Sequence, residues 1–182
     1  RAPFLAYNGP MFEALETLGF SWSSSVLEQP GLHSPDPANF IWPYTLHDGL
    51  QQFEWLGTGP EKGIPNLMEI PMWVLAEGEN YYDMDPGASG DDLFHLLKQN
   101  FEERRSGNRV PVGLYLHAQT WLNETTADGL NRFLDWALEQ PDTWVVTPSM
   151  LERWMRNPIP ASELEDSGMF SPVTKSPKPE SD

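Results

Sequence analysis

Hydrophobic positions along this chain switch repeatedly between short apolar runs and stripes spaced three and four residues apart, a pattern that predicts strands interleaved with helices. Arg1 to Leu5 reads as a short strand end. Asn8-Gly9-Pro10 predicts a helix start, Phe12, Leu15 and Leu18 share one stripe, and Gly19 stands where a C-terminal glycine belongs. Phe20 to Val26 returns as a strand. From Glu28 to Gly63 the period gives way to Pro, Gly, His and aromatic residues, which predicts a long excursion packed on the mouth of the fold. Asn66 to Leu75 is the next apolar run, and Gly78 to Gly90 is an acidic loop holding Tyr81 and Tyr82. A helix is predicted from about Asp91. Leu93, Phe94, Leu97 and Phe101 recur at helical spacing, acids open the first turn, and Arg104, Arg105 and Gly107 supply a dipole-matched stop. The run Val110 to His117 reads as a strand. Thr125 with Asp128 resembles a capping box before the stripe Leu130, Phe133, Leu134, Ala137 and Leu138. Trp144-Val145-Val146 predicts a short strand, and Thr147-Pro148 starts a last helix that Asn157-Pro158 ends.

The composition fits one globular unit. A chain of 182 residues with 39% hydrophobic and 12% aromatic content can bury a core. Residues 1–170 form that unit, and 171–182, rich in Ser, Pro, Lys and Glu, read as a linker or disordered tail. Twenty-seven acidic residues against eleven basic give a net charge of -16, whose field repels nucleic acid and anionic membrane and leaves neutral or cationic partners open. The lack of cysteine removes disulfides, thiol catalysis and thiolate-bound zinc without fixing the compartment. No apolar stretch approaches a membrane span.

His117 closes an apolar run just before a helix pattern, the place where alternating folds present side chains for chemistry. Such a histidine either acts on a substrate or hydrogen-bonds a neighbouring backbone group at the core edge. Trp42, Tyr44, Trp55, Tyr81, Tyr82 and Trp121 fall in loops or just past strand ends, where flat rings either pack on the apolar faces of pyranose sugars or pin the loops to the fold. Trp136, Trp144 and Trp154 sit on regular elements and are assigned to packing. His33, His47, His95 and His117 are too dispersed for a metal-ligand pattern, and His47-Asp48 reads first as a solvated turn. Asn123-Glu124-Thr125 is an N-glycosylation acceptor pattern, which points outward from the cytosol.

Arg1-Ala2-Pro3-Phe4, Phe20-Ser21-Trp22-Ser23-Ser24-Ser25, Trp42-Pro43-Tyr44-Thr45, Glu69-Ile70-Pro71-Met72, Leu116-His117-Ala118 and Trp144-Val145-Val146-Thr147 stand in an order that resembles the polysaccharide deacetylases of carbohydrate esterase family 4. Their eukaryotic chitin deacetylase-like branch is the nearest likeness, over Arg1 to about Pro160. The resemblance implies an irregular (β/α) barrel of which this chain is the carboxyl-terminal part. It also implies a divalent metal, zinc above all, and removal of acetyl groups from N-acetylglucosamine polymers such as chitin. His117 matches the family's general acid, a role suited to an imidazole that titrates near ~6.5 when unperturbed. Arg1 matches the arginine that holds the catalytic carboxylate, a task for a rigid guanidinium fork. Phe4 matches a groove-shaping position, and Tyr115, two before the acid, stands where relatives carry a smaller apolar residue beside the acetyl methyl.

Two departures shape the expectation. The family's metal and base motifs, Asp-Asp and His-x-x-x-His, belong upstream of Arg1, so the metal site is expected outside this chain and the chain's other half becomes its partner. The serines at Ser23 to Ser25 replace a common acidic residue, with Glu69 the nearest substitute carboxylate. The resulting expectation is a secreted or wall-facing metal-dependent deacetylase, inactive as this fragment alone, with catalytic residues His117 and Arg1 and sugar contacts at Phe4, Trp42, Tyr44, Tyr115 and Trp121. The alternative is a non-catalytic relative that binds glycans or a protein partner.

Overall fold

In the computed structural model, which describes residues 1–28, 40–51 and 57–170, the apolar run after Gly63 forms the spine of an α/β fold. Strand β1 (Trp22–Ser23) lies parallel to β4 (Ile64–Glu69), and β3 (Tyr44–Leu46) pairs antiparallel on the other side of β4. Past them β2 (Leu27–Glu28) runs parallel to β5 (Met72–Trp73), and β6 (Leu75–Glu77) folds onto β7 (Asn80–Tyr82) as a hairpin. The two parallel pairs are successive stretches of one interrupted ladder. Ile70 N donates to Ser23 O (2.8 Å) before the break, and Met72 N donates to Val26 O (2.9 Å) after it. Register moves from Ser23 opposite Glu69 to Leu27 opposite Met72, so four steps on one strand face three on the other. That extra residue is a bulge, and Pro71, lacking an N–H, sits where the ladder is already broken.

Helix α1 (Gly9–Thr17) starts as the sequence predicts, with the Asn8 side chain accepting from Met11 N (2.9 Å) and Gly19 beyond its end at φ 77. Its Phe12 is buried with Tyr7, Val26, Leu46, Ile64 and Leu67 against one face of the sheet. Helices α2 (Gly90–Ser106) and α4 (Glu124–Leu138) share a second core of Leu75, Leu93, Leu97, Leu130 and Phe133, sealed by Phe101 edge-on to Trp136 at 5.3 Å. A β-carbon at Gly129 would collide with the carbonyl oxygen of Gly90, so the absent side chain sets how closely α4 meets the start of α2. Short α3 (Ala118–Trp121) precedes α4. Helix α5 (Pro148–Arg156), capped by Thr147, packs Leu151, Trp154 and Met155 with Phe40, Met68 and Trp73, and α6 (Leu164–Ser167) follows.

Several predicted strands are not strands. Pro3–Leu5 is a 3-10 turn in which Phe4 and Leu5 take φ near 55, so Arg1 to Leu5 joins no ladder. Val110 to His117 also pairs with no strand among the described residues, because its backbone groups are engaged by side chains and loops. Pro111 O accepts from the Arg104 guanidinium (2.9 Å), Tyr115 O from Asp85 N (3.1 Å), and His117 N donates to the Asp85 carboxylate (2.7 Å). Trp144-Val145-Val146 is likewise irregular. The cap of α4 is Asn123, two residues earlier than the predicted Thr125. Of the predicted excursion, residues 29–39 and 52–56, with His33 and Trp55, lie outside the described residues, as does the 171–182 tail.

Two buried polar side chains stitch α2 to the strands. Asn100 behaves as a missing strand partner for β6, its Oδ1 accepting from Ala76 N and its Nδ2 donating to Ala76 O, both at 2.9 Å. Arg104 donates to Val74 O (2.8 Å) while its guanidinium lies 4.2 Å from the Phe40 ring. Asn100→Ala orphans a buried amide and a buried carbonyl, so urea unfolding should show a loss of about 2–4 kcal/mol. An unchanged midpoint would mean that water replaces the side chain.

Candidate active site

The candidate residues come from three stretches that the sequence separates widely: the amino-terminal turn with the β1–β2 break, the loop after β7, and the segment leading into α3, of which the last two line a cleft. At the break the backbone N–H groups of Ser25 and Val26 have lost their strand partners, and the Glu69 carboxylate replaces them, Oε1 accepting from Ser25 N (2.7 Å) and Val26 N (2.9 Å). Glu69 is wholly buried. Burial pushes its carboxyl up to about 7 against the opposing pull of those two amides and the Ser23 hydroxyl. Glu28, at the end of β2, is also pushed up to about 7 by burial, although Ile41 N donates to it at 2.6 Å and Arg104 lies near.

With the bend fixed, the serines face Arg1. Arg1 Nε donates to Ser24 O (2.7 Å) and Nη2 to Ser24 Oγ (3.0 Å), while Ala2 N donates to Ser25 Oγ (2.9 Å) and Ser25 Oγ meets Ser23 Oγ at 3.1 Å. Neutral oxygens therefore hold the guanidinium where a carboxylate was expected. Its other face lies 4.5 Å from the Tyr115 ring, whose hydroxyl donates to Pro71 O (3.3 Å). Burial pushes the Tyr115 phenol up, and Arg1 pulls the other way. Tyr115 thus links Arg1 and the strand break to the segment that ends at His117.

His117 is the N-cap of α3 and is exposed. Its Nδ1 is hydrogen-bonded to one Asp85 oxygen and its backbone N–H donates to the other (2.7 Å), a two-point grip by a single carboxylate. These bonds, the ring contact first and the Thr120 hydroxyl after it, hold the Asp85 carboxyl below the usual carboxylate range. Asp85 reaches the histidine from a left-handed backbone at φ 47. Nε2 is the ring nitrogen left for a substrate. His117 and Asp85 line a cleft of about 650 Å³ with Ser89, Thr120, Asn123 and Thr126 on its walls.

Of the predicted residues, Arg1, Tyr115 and His117 are linked in this way. Trp121 stands at the end of α3, four residues past His117, and its ring is 41% exposed. Phe4 is 97% exposed on its left-handed turn. Of these residues His117 alone lines the cleft; Arg1, Phe4, Tyr115, Trp121, Trp42 and Tyr44 stand outside its walls. The Trp42 indole donates to Asn108 O (3.1 Å) and stacks 5.9 Å from Trp154 in the core, and Tyr44 is buried in β3 with its hydroxyl accepting from Gln51 N (3.2 Å). His47 and Asp48 form an exposed pair at 3.8 Å, and His95 is exposed on α2. Asp85 is the residue that sequence reasoning missed. Its signal was an acid followed by the turn pair Pro86-Gly87 within an acidic loop, which marks a turn and does not mark a partner for His117. Among the described residues no three His, Asp or Glu side chains converge as metal ligands. None of its described helices is long and apolar enough to cross a membrane.

No family model matches the chain. It is 26% identical over 176 residues to chitin deacetylase 8 of Bombyx mori, an alignment covering 88% of this chain and 43% of that protein. It is 27% identical over 184 residues to chitin deacetylase 1 of Bombyx mori, covering 91% of this chain and 33% of that protein. The chain is similar to these two chitin deacetylases and spans less than half the length of these curated relatives.

The buried carboxyls carry a signed pH effect. Each holds a proton in the folded state that the unfolded chain releases near 4.5, so the stability they contribute is present below about 4.5 and is lost as pH rises through about 7. Glu69→Gln, which keeps an acceptor for Ser25 and Val26, is expected to flatten the fall in melting temperature between these limits. Glu69→Ala, which strands two buried donors, is expected to cost ~2 kcal/mol or more at every pH. A Gln variant with the wild-type pH profile would remove Glu69 from this role.

Proposed function

We propose that this chain forms part of a hydrolase that removes acetyl groups from N-acetylglucosamine polymers, chitin being the first substrate to test. The observation that carries the reading is the Asp85–His117 pair on the wall of a cleft, in a chain similar to chitin deacetylases. An amide cannot be split unless the leaving nitrogen takes a proton, and a histidine held through Nδ1 has Nε2 free to give one. Asp85 stays ionised and fixes the ring so that this proton is delivered from one direction. After a water oxygen has bonded to the acetamide carbonyl carbon and given up its proton, the C–N bond breaks and Nε2–H protonates the departing amine, leaving a glucosamine unit and acetate that keeps the water oxygen. Arg1, clamped by Ser24 and Tyr115, places fixed positive charge beside the same segment.

The reading gives the water-activating base and a divalent metal, zinc above all, to the part of the relatives' length that this chain does not span. It also takes the fold to be the carboxyl-terminal part of an irregular (β/α) barrel, supported by the parallel pairing of β1 with β4 and β2 with β5. A secreted or wall-facing location goes with a polymer substrate. A second reading, glycan binding without hydrolysis, draws on the serine triplet, since Arg1 there meets hydroxyl and carbonyl oxygens in place of a carboxylate.

In the full-length protein acting on chitin oligosaccharides, His117→Ala is expected to lower kcat about 10²- to 10⁴-fold with the fold intact. Asp85→Asn, which keeps the shape of the grip and removes its charge, is expected to fall between this variant and the wild type. Acetate release by His117→Ala at the wild-type rate would sink the assignment, and saturable oligosaccharide binding with no acetate from the wild type would favour the second reading.

A further inference from the structure

Asn123 has two duties that its side chain divides between its two polar atoms. As the N-cap of α4 it uses only Oδ1, which accepts from Thr125 N (3.0 Å), Thr125 Oγ1 (2.6 Å) and Thr126 N (3.3 Å). Its Nδ2 has no hydrogen-bond partner among the described residues, and the residue is exposed. Asn123 also opens the acceptor sequence Asn123-Glu124-Thr125. An N-linked sugar is carried by Nδ2 and leaves the amide oxygen an acceptor, so here the cap and the modification do not compete. The helix start places Asn123 on the wall of the same cleft as His117, together with Thr120 and Thr126.

We infer that Asn123 carries an N-linked glycan anchored on the rim of the His117 cleft. In the forming step Nδ2 bonds to C1 of the first sugar of a lipid-diphosphate-linked oligosaccharide. The C1–O bond breaks, the lipid diphosphate leaves with that electron pair, and one amide proton passes to solvent. The new linkage is neutral, so it leaves the charge of Asp85 unopposed and adds only bulk and hydroxyl groups at the cleft mouth. Bulk at that point obstructs a long polymer lying across the cleft and spares a short oligosaccharide that enters end-on. The inference rests on the secreted location in the proposed reading, because that donor is met only on the secretory route.

The test is glycopeptide mass spectrometry on the full-length protein secreted from eukaryotic cells, before and after a peptide N-glycosidase that converts a sugar-bearing Asn to Asp. The expected result is a glycan at Asn123 that disappears in Asn123→Asp and in Thr125→Ala. Both variants should keep the wild-type melting temperature, since each retains the cap oxygen, whereas Asn123→Ala should lose glycan and melt earlier. On polymeric chitin Thr125→Ala is expected to show a several-fold higher kcat/KM than the glycosylated wild type, with a short oligomer hydrolysed equally by both. Unmodified Asn123 in the secreted protein overturns the inference, and equal rates on polymer overturn the rim placement. Acetate release separates this from the proposed function: a glycosylated but inert protein sinks only the enzymatic reading, and an active protein with bare Asn123 sinks only this one.

Discussion

The arrangement of this chain depends on one buried carboxyl standing in for a stretch of sheet. Where β1 gives way to β2 an extra residue breaks the parallel ladder, and Glu69 fills the gap by accepting both orphaned N–H groups. Buried donors without partners are costly, so the bend at Ser24 to Val26 persists only while that side chain is in place. The bend in turn aims Ser24 at Arg1 and Ser25 at Ala2, which fixes the amino-terminal turn against the sheet. A protonated carboxyl suits this place better than an ionised one, because burial penalises the charge more than two amide donors relieve it.

The same economy of side chains serving as backbone partners recurs across the molecule. Asn100 closes the open edge of β6, Arg104 collects carbonyls from the β5–β6 junction and from Pro111, and Asp85 takes the backbone N–H of His117 as well as its ring. Each of these residues joins segments far apart in the chain, and each sits where regular pairing has stopped. Val110 to His117 is held by such contacts together with the packing of Val110, Val112, Leu114 and Leu116 on the neighbouring cores, and not by pairing with a neighbouring strand.

Local signals made the helices legible: Asn8, Gly19, Gly107 and Thr147 mark ends where the predicted and observed elements agree closely, and the stripes of α2 and α4 face their shared core as the spacing requires. Strands were harder, because an apolar run states that a segment is buried without stating what it hydrogen-bonds. Val110 to His117 and Trp144 to Val146 have the composition of strands and lack a partner among the described residues. At the site, His117 and Arg1 could be marked from their motifs, whereas Asp85 could not, since its importance comes from a turn that carries it across to a residue far along the chain. Trp42 and Tyr44 read as sugar-facing from their loop-like surroundings and instead pack inward.

The contact between Gly129 and Gly90 has a bearing on how this site can change over time. Ser89 and Thr126, which both line the cleft, sit one and three residues from that backbone-to-backbone meeting, so their separation is set by two main chains and scarcely by rotamers. Lineages that substitute side chains on these two elements therefore inherit a constant spacing between them. A change in that spacing demands that two helices separate as units, so drift at side chains leaves it untouched and only a concerted shift alters it.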